Sequence, residues 1–197
     1  SYWGTIKALA HSIEAKDIYT CGHSERVVGY SVLIGKEMGL SSKEIEMLKF
    51  SSILHDIGKI AINDNILKKR SPLRQEEHQI IKKHPVKGEE IIAPLKFLEQ
   101  IKPIIRHHHE RWDGRGYPDG LVKTSIPLFS RIIQIADTFD AITSSRSYRL
   151  AKSIDDGISE IQRCAGSQFD PTIVYYFIRS YRKGGLKSCF EYSVGIY

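Results

Sequence analysis

The stretch Ser52-Ile53-Leu54-His55-Asp56-Ile57-Gly58-Lys59 sets a histidine and an aspartate side by side among apolar residues. Charged groups are seldom buried unless paired or bound to metal. A His-Asp pair between Leu54 and Ile57 therefore needs a partner, and a metal ion is a good candidate. The stretch reads as helical. Ser41 and Glu44 form a capping box ahead of Ile45, Leu48, Ile53 and Leu54. Neighbouring helical residues point about 100° apart. His55 and Asp56 then meet at one ion only where their helix faces the site obliquely, unless the aspartate reaches across to a second ion. Lys59 follows Asp56 by three residues, on the same helix face. Its ammonium suits a phosphate oxygen or a leaving alkoxide, and a salt bridge to Asp56 is the alternative.

Outward from this stretch the helical period continues. Ile6, Leu9, Ala10 and Ile13 mark one face of a first helix. A second helix is predicted from Gly22 to Met38, stopped by Gly39. Ser71-Pro72 reads as a helix start, and further helices are expected at 85–93, 97–109, 127–142, 153–163 and 171–182. With no alternating strand pattern, the expected fold is all-α. Asp113-Gly114-Arg115-Gly116-Tyr117-Pro118-Asp119-Gly120 cannot continue a helix and follows His107-His108-His109-Glu110 directly, like the rim of a site. Gly184-Gly185 opens a stretch without amphipathic pattern, which divides the chain into a domain over 1–183 and a tail over 184–197.

Composition narrows the classes. An apolar fraction of 41% is ample for a packed core and argues against disorder. No apolar run approaches the roughly 20 residues of a membrane span, and no leader pattern is visible. Cys21, Cys164 and Cys189 form no CxxC pair, which points away from a disulfide framework or thiolate zinc site and towards a cytoplasmic setting. The net charge of +6 favours an anionic partner. Ser1 and the helical N-terminus leave room for an upstream sensor or receiver domain.

Eight histidines carry the remaining signal: His11, His23, His55, His78, His84, His107, His108 and His109. His11 and His78 lack a distinctive context. Imidazole and carboxylate ligands without thiolate suit iron, manganese, zinc or nickel. Two such ions, about 3.5–4 Å apart, form the usual clamp for in-line attack on phosphorus.

The ordered series Gly22-His23-Ser24-Glu25-Arg26, Leu54-His55-Asp56-Ile57-Gly58-Lys59, Lys83-His84-Pro85, the His107–Asp119 block and Ala136-Asp137-Thr138-Phe139-Asp140-Ala141 resembles the HD-GYP family of the HD hydrolase superfamily, over about residues 5–180. The resemblance implies an all-α HD-domain bundle with a glycine-rich GYP loop, hydrolysing cyclic di-GMP to linear pGpG and on to GMP at two divalent ions, iron or manganese. It implies His55 and Asp56 as central ligands with Asp56 bridging, His23 and Asp137 completing one ion, and His84, His108 and His109 the other. His107 is left as a non-ligand. Lys59 would act in catalysis with Asp56 and contact the scissile phosphate, and Tyr117 would shape the substrate pocket. Arg146 and Arg149 would hold substrate phosphate or guanine, a task suited to a planar, always charged guanidinium. Asp140 is a candidate for supporting a ligand or binding an extra ion. Some family members carry a glutamate four residues before the first ligand histidine; here Tyr19 holds that position, so two ions are expected rather than three.

Three other readings compete with this one. A catalytically silent cyclic-dinucleotide-binding module would be expected to have lost ligands, and none is missing. An HD hydrolase of another nucleotide or a phosphomonoester fits the metal ligands but leaves the GYP block unused. A basic nucleic-acid-binding protein leaves the His-Asp series unexplained and lacks a DNA-reading motif.

Overall fold

The computed structural model describes residues 2–16, 22–69, 71–145 and 150–186. Helix α1 spans Tyr2–Glu14, α2 His23–Glu37 and α3 Ser42–Leu54. A 3-10 turn at Ile57–Ala61 leads to α4 (Asp64–Leu67), α5 (Gln75–Ile81) and α6 (His84–Ile92). A 3-10 stretch at Lys96–Ile101 runs into α7 (Lys102–Arg106). After a long loop with a 3-10 turn at Lys123–Ser125 come α8 (Leu128–Thr143), α9 (Ile154–Arg163) and α10 (Pro171–Arg182). Among the described residues there is no strand, only an isolated bridge between Ala165 and Phe169. The fold is all-α, as the periodicity predicts.

Helix α8 is the hub. Ile132, Ile133, Ile135, Ala136 and Phe139 are wholly buried there, so the helix is apolar on more than one face and must be enclosed. Helices α2, α7, α9 and α10 pack around it. Phe139 meets Tyr30 of α2 and Phe177 of α10 edge-on, with ring centroids 5.1 Å apart in each pair, the arrangement aromatic quadrupoles favour. Gly184 takes a left-handed φ of 78°, and Leu186 beyond it is buried in the core.

Where capping chemistry is explicit, the predicted boundaries hold. The Ser41 hydroxyl accepts from the Glu44 amide while the Glu44 carboxylate accepts from the Ser41 amide. Two boundaries differ from expectation. Helix α5 opens after Arg74, not at Ser71-Pro72. The Glu77 carboxylate decides this by accepting from the Arg74 amide at 2.7 Å and the Lys69 ammonium at 2.6 Å. The single helix expected over 97–109 is divided at Lys102–Pro103. Pro103 has no N–H to offer the preceding turn, so one ladder stops and another begins with proline in its first turn. Helix α7 then ends at Arg106, and the three histidines lie beyond it.

Gly58 and Gly88 set how closely the middle of the chain packs. A Cβ on Gly58 would lie 1.8 Å from the His84 carbonyl oxygen and 2.5 Å from the Gly88 nitrogen. One on Gly88 would lie 2.8 Å from Ile105 Cγ2. The Ile57–Ala61 turn, α6 and α7 are thereby drawn together, bringing the end of α3 beside the start of α6. Gly58→Ala should destabilise the fold by about 3 kcal/mol or more, read as a lowered midpoint of thermal or urea unfolding. Gly4→Ala in α1, where nothing lies within 4 Å of the added carbon, should be neutral or stabilising by about 0.5–1 kcal/mol.

Candidate metal centre

Six side chains of the centre stand at or just beyond helix ends. His23 opens α2 and His84 opens α6. His55 caps the C-terminus of α3, and Asp56 leaves the helical region at φ −95°, ψ 8°. That break removes the 100° divergence of a continuous helix and lets both neighbours face one place. His108 and His109 follow the end of α7. Asp137 comes from within α8.

These residues converge on the Asp56 carboxylate. Its Oδ1 lies 3.2 Å from His84 Nε2 and 4.0 Å from His108 Nε2. Its Oδ2 lies 3.5 Å from His55 Nε2, 4.0 Å from His23 Nε2 and 2.6 Å from Lys59 Nζ. His23 Nε2 is 3.4 Å from Asp137 Oδ1. Two overlapping sets result, Asp56-His84-His108-His109 and His23-His55-Asp56, each with potential ligand atoms within 4.8 Å of one another. Asp56 belongs to both. The Lys59–Asp56 salt bridge is formed, as expected where residues i and i+3 eclipse on a 3-10 turn.

Hydrogen bonds behind the rings fix what each presents. Nδ1 of His55, His84 and His108 donates to the carbonyl three residues earlier, on Ser52, Ile81 and Ile105, at 2.7, 2.8 and 2.6 Å. A carbonyl only accepts, so in the neutral ring the Nε2 lone pair faces the centre. His23 Nδ1 instead meets Asp140 Oδ2 at 2.7 Å. Asp140 is itself held by Arg26, with Nε to Oδ1 at 2.6 Å. Burial lowers the affinity of His55 and His108 for a proton, the latter strongly, and with help from His84 pushes His109 down to about 3. Burial acts the same way on His23, but the hydrogen bond to Asp140 and the charges of Asp137, Asp140 and Asp56 carry it above its ordinary value. Burial would raise Asp56, yet Lys59, His55 and His84 hold it well below the carboxylate range.

Several observations fit divalent cations here. Buried His55 Nε2 has no hydrogen-bond partner among the described residues. His84 and His108 turn Nε2 atoms towards each other at 3.3 Å while both Nδ1 atoms donate elsewhere. Facing lone pairs repel, and a cation between them removes the repulsion. Neutral imidazoles around an ionised carboxylate form a donor set suited to first-row transition metals. A further grouping, His107-Glu110-Asp119, is satisfied within the chain. Asp119 takes both Arg106 and the His107 ring, and Glu110 binds backbone amides.

The glycine-rich loop closes one side of the centre. The buried Glu110 carboxylate accepts from the amides of Asp119, Gly120 and Leu121 at 2.7, 3.1 and 3.0 Å. A Cβ on Gly116 would approach Arg111 N and the Glu110 Cα to 2.4 and 2.5 Å, so the loop folds tightly onto the end of the His108-His109-Glu110 run. This lays the Tyr117 ring on His109, centroids 4.9 Å apart and planes 23° from parallel. Burial, with Asp56 and Asp137 nearby, raises the Tyr117 phenol. Above the cluster is a cavity of about 500 Å³.

His23, His55, Asp56, His84, His108, His109 and Asp137 are thus brought together, with Lys59 and Tyr117 beside them. Arg146, Arg149 and Tyr19 lie outside the described residues. Sequence reasoning assigned no role to Glu110 as loop anchor or to Arg26 as the partner of Asp140. It also passed over Glu14, whose carboxylate accepts from the Gly22 and Ser24 amides at 3.0 and 2.6 Å and so caps the helix that carries His23. Both Arg26 and Glu110 stood inside quoted motifs, but neither partner could be read from spacing.

This all-α fold around a buried His/Asp cluster defines a helical protein with a centre suited to divalent metal. The chain belongs to the HD domain family, whose model matches residues 7–173. Its motif series is that of the HD-GYP branch, to which its relatives point. It is 38% identical over 177 residues to the cyclic di-GMP phosphodiesterase response regulator RpfG of Xanthomonas campestris, a match covering 89% of this chain and 47% of that protein. It is also 38% identical to the 3′3′-cGAMP-specific phosphodiesterase 2 of Vibrio cholerae, covering 84% of this chain and 32% of the relative. The chain therefore spans less than half the length of either relative. Among solved structures, the cyclic GMP-AMP specific phosphodiesterase V-cGAP3 of V. cholerae superposes with a TM-score of 0.71 at 22% identity, covering 93% of this chain and 50% of that one, a likeness of fold.

Glu110→Gln should loosen the loop without unfolding the bundle. Replacing an ionised acceptor of three amides is expected to cost about 1.5–3 kcal/mol. Hydrogen exchange at Asp119, Gly120 and Leu121 should accelerate while amides of α8 keep their protection. Unchanged exchange in the loop would refute the anchoring role.

Proposed function

We propose that this chain hydrolyses a cyclic dinucleotide, cyclic di-GMP first, to linear pGpG and on to GMP. The observation that carries the reading is the convergence of His23, His55, Asp56, His84, His108, His109 and Asp137 at one end of a cavity walled by the Gly116-Tyr117-Pro118 loop. In this reading the catalytic unit is residues 1–183, acting in the cytoplasm, with 184–197 as a tail whose first residues pack back on that unit through buried Leu186. The response-regulator name of the Xanthomonas relative supports an upstream sensor or receiver partner. No described helix is long and apolar enough to cross a membrane.

Two divalent ions, iron or manganese, held by those seven side chains with Asp56 shared, would supply positive charge to the phosphate and acidify the attacking water. The chain's own groups do the rest. The Nδ1 donations keep Nε2 of His55, His84 and His108 as lone-pair donors, and Asp140 aims His23. Lys59, now on Asp56, has an ammonium close enough to turn to a phosphate oxygen or the departing 3′ oxygen. Tyr117 and the loop around it wall the cavity and limit its exposure to water. Arg146 and Arg149 would hold substrate phosphate or guanine. Tyr19, whose phenol has a reference pKa of about 10, is a poor third-ion ligand, so two ions are expected.

The 3′3′-cGAMP-specific relative supports a second substrate, the mixed cyclic dinucleotide. A panel of cyclic di-GMP, cyclic di-AMP, the mixed cyclic dinucleotide and simple phosphomonoesters decides between them. Turnover of cyclic di-GMP is expected to lead, and exclusive turnover of a phosphomonoester would overturn the reading.

Asp56→Ala should abolish turnover and lower the metal content measured by elemental analysis. Lys59→Ala should keep the metal and reduce kcat by about 10²-fold or more, the range for losing a proton-transfer or charge-stabilising group. Near-normal metal and activity in Asp56→Ala would sink the two-ion mechanism. Loss of metal in Lys59→Ala would make that lysine structural.

A further inference from the structure

A cyclic dinucleotide brings two phosphodiesters into the cavity in one ring, and only one can react at a time. The other remains a full anion that must stay in water or meet positive charge. Among the described residues, four lysine and arginine side chains line the cavity: Lys59, Lys82, Arg111 and Arg115. Lys59 is paired with Asp56 at 2.6 Å. Arg111 is held in a two-pronged pair by Asp113, with Nε to Oδ1 at 3.0 Å and a terminal nitrogen to Oδ2 at 2.7 Å. Lys82 and Arg115 differ from these. Among the described residues, neither forms a salt bridge with a carboxylate, and the charge of Arg115 acts on Asp113 only at longer range.

Lys82 stands over Tyr117, and Arg115 lines the same cavity. The Lys82 ammonium lies 5.3 Å from the centroid of the Tyr117 ring, a cation–π contact that orients it without neutralising it. Arg115 lies two residues before Tyr117, in the loop that Glu110 anchors. Its own amide donates to Asp113 Oδ1 at 3.1 Å, so its backbone is fixed while its side chain is exposed. The two cations therefore border the cavity from two segments, the end of α5 and the glycine-rich loop, with the Tyr117 ring beside Lys82.

We propose that Lys82 and Arg115 form a subsite for the non-reacting phosphodiester. The proposal rests on the cyclic-dinucleotide reading and deepens it. The metal cluster recognises any phosphodiester, whereas this pair recognises a ligand with a second one, and so favours cyclic dinucleotides over single diesters. The contact is with a phosphate, so it does not discriminate guanine from adenine.

The test compares cyclic di-GMP with bis(p-nitrophenyl) phosphate, a single diester, on the metal-loaded chain. Lys82→Gln and Arg115→Gln should each raise KM for cyclic di-GMP about tenfold, the scale of one charge-assisted contact, with a smaller effect on kcat. The loss in kcat/KM should be about tenfold greater for cyclic di-GMP than for the single diester. Lys82→Arg and Arg115→Lys should recover most of the affinity. Calorimetry with the metal-stripped protein should show the same weakening for cyclic di-GMP, with a shallower dependence on salt. Equal losses on both substrates would place the pair at the reacting phosphate and overturn the proposal, as would unchanged KM and affinity for cyclic di-GMP. A wild-type chain that cleaves the single diester but neither binds nor cleaves any cyclic dinucleotide would remove the functional reading itself, and the subsite with it.

Discussion

The Asp56 carboxylate is nearly withdrawn from water, and its ionised form must be matched from every side. Lys59 answers it at 2.6 Å and His84 at 3.2 Å, with His55, His23 and His108 within 4.0 Å. Bringing that many side chains onto one carboxylate requires chain segments from α2, α3, α6 and α7 to end at a common point. The glycine pair Gly58 and Gly88 makes that approach sterically open. The packing of α8 against α2, α9 and α10 gives the converging ends something rigid to rest on. Position along the helix matters as much as position in space. A residue inside a helix shares its direction with neighbours three and four away, whereas one at an end can turn towards a target its helix does not face.

Electrostatics and loop structure meet in the run from His107 to Glu110. His107 leaves the cluster and joins Arg106 on Asp119. His108 and His109 turn inwards, and Glu110 turns back to gather the amides of the loop. Consecutive residues therefore tie one short segment both to the buried centre and to the Asp119–Leu121 side of the loop. This explains why Tyr117 rests on His109 rather than projecting into solvent.

Legibility in the sequence followed the range of each interaction. The capping box of Ser41 and Glu44, the stop at Gly39 and the start at Pro171 are chemistry between near neighbours, and those boundaries were readable. The start of α5 depended on Glu77 reaching Lys69 and Arg74, a competition that Ser71-Pro72 did not reveal. The break before α7 was written in Pro103 but outweighed by the apolar period across 97–109. The cluster was readable as an ordered set of residue types through family resemblance, not through periodicity. Its supports were not, because Asp140 with Arg26, Glu14 with the start of α2, and Glu110 with Leu121 are pairings that only the tertiary fold brings about.

The three histidines that donate to carbonyls on their own segments have a mechanical consequence. His55, His84 and His108 each take their orientation from a group three residues upstream, so the direction of each ring travels with its segment. A shift of α6 against α3 alters the distance between rings and leaves their aim intact. Aim and spacing are thus separately adjustable, the first by local chain conformation and the second by interhelical packing. Substitutions in the packed core, far from any imidazole, can then retune the width of the cradle and the size of ion it prefers while leaving every donor pointing inwards. His23 is the exception. Its aim is borrowed from Asp140 on α8, which makes it the one ring of the four whose direction depends on how two helices slide past each other.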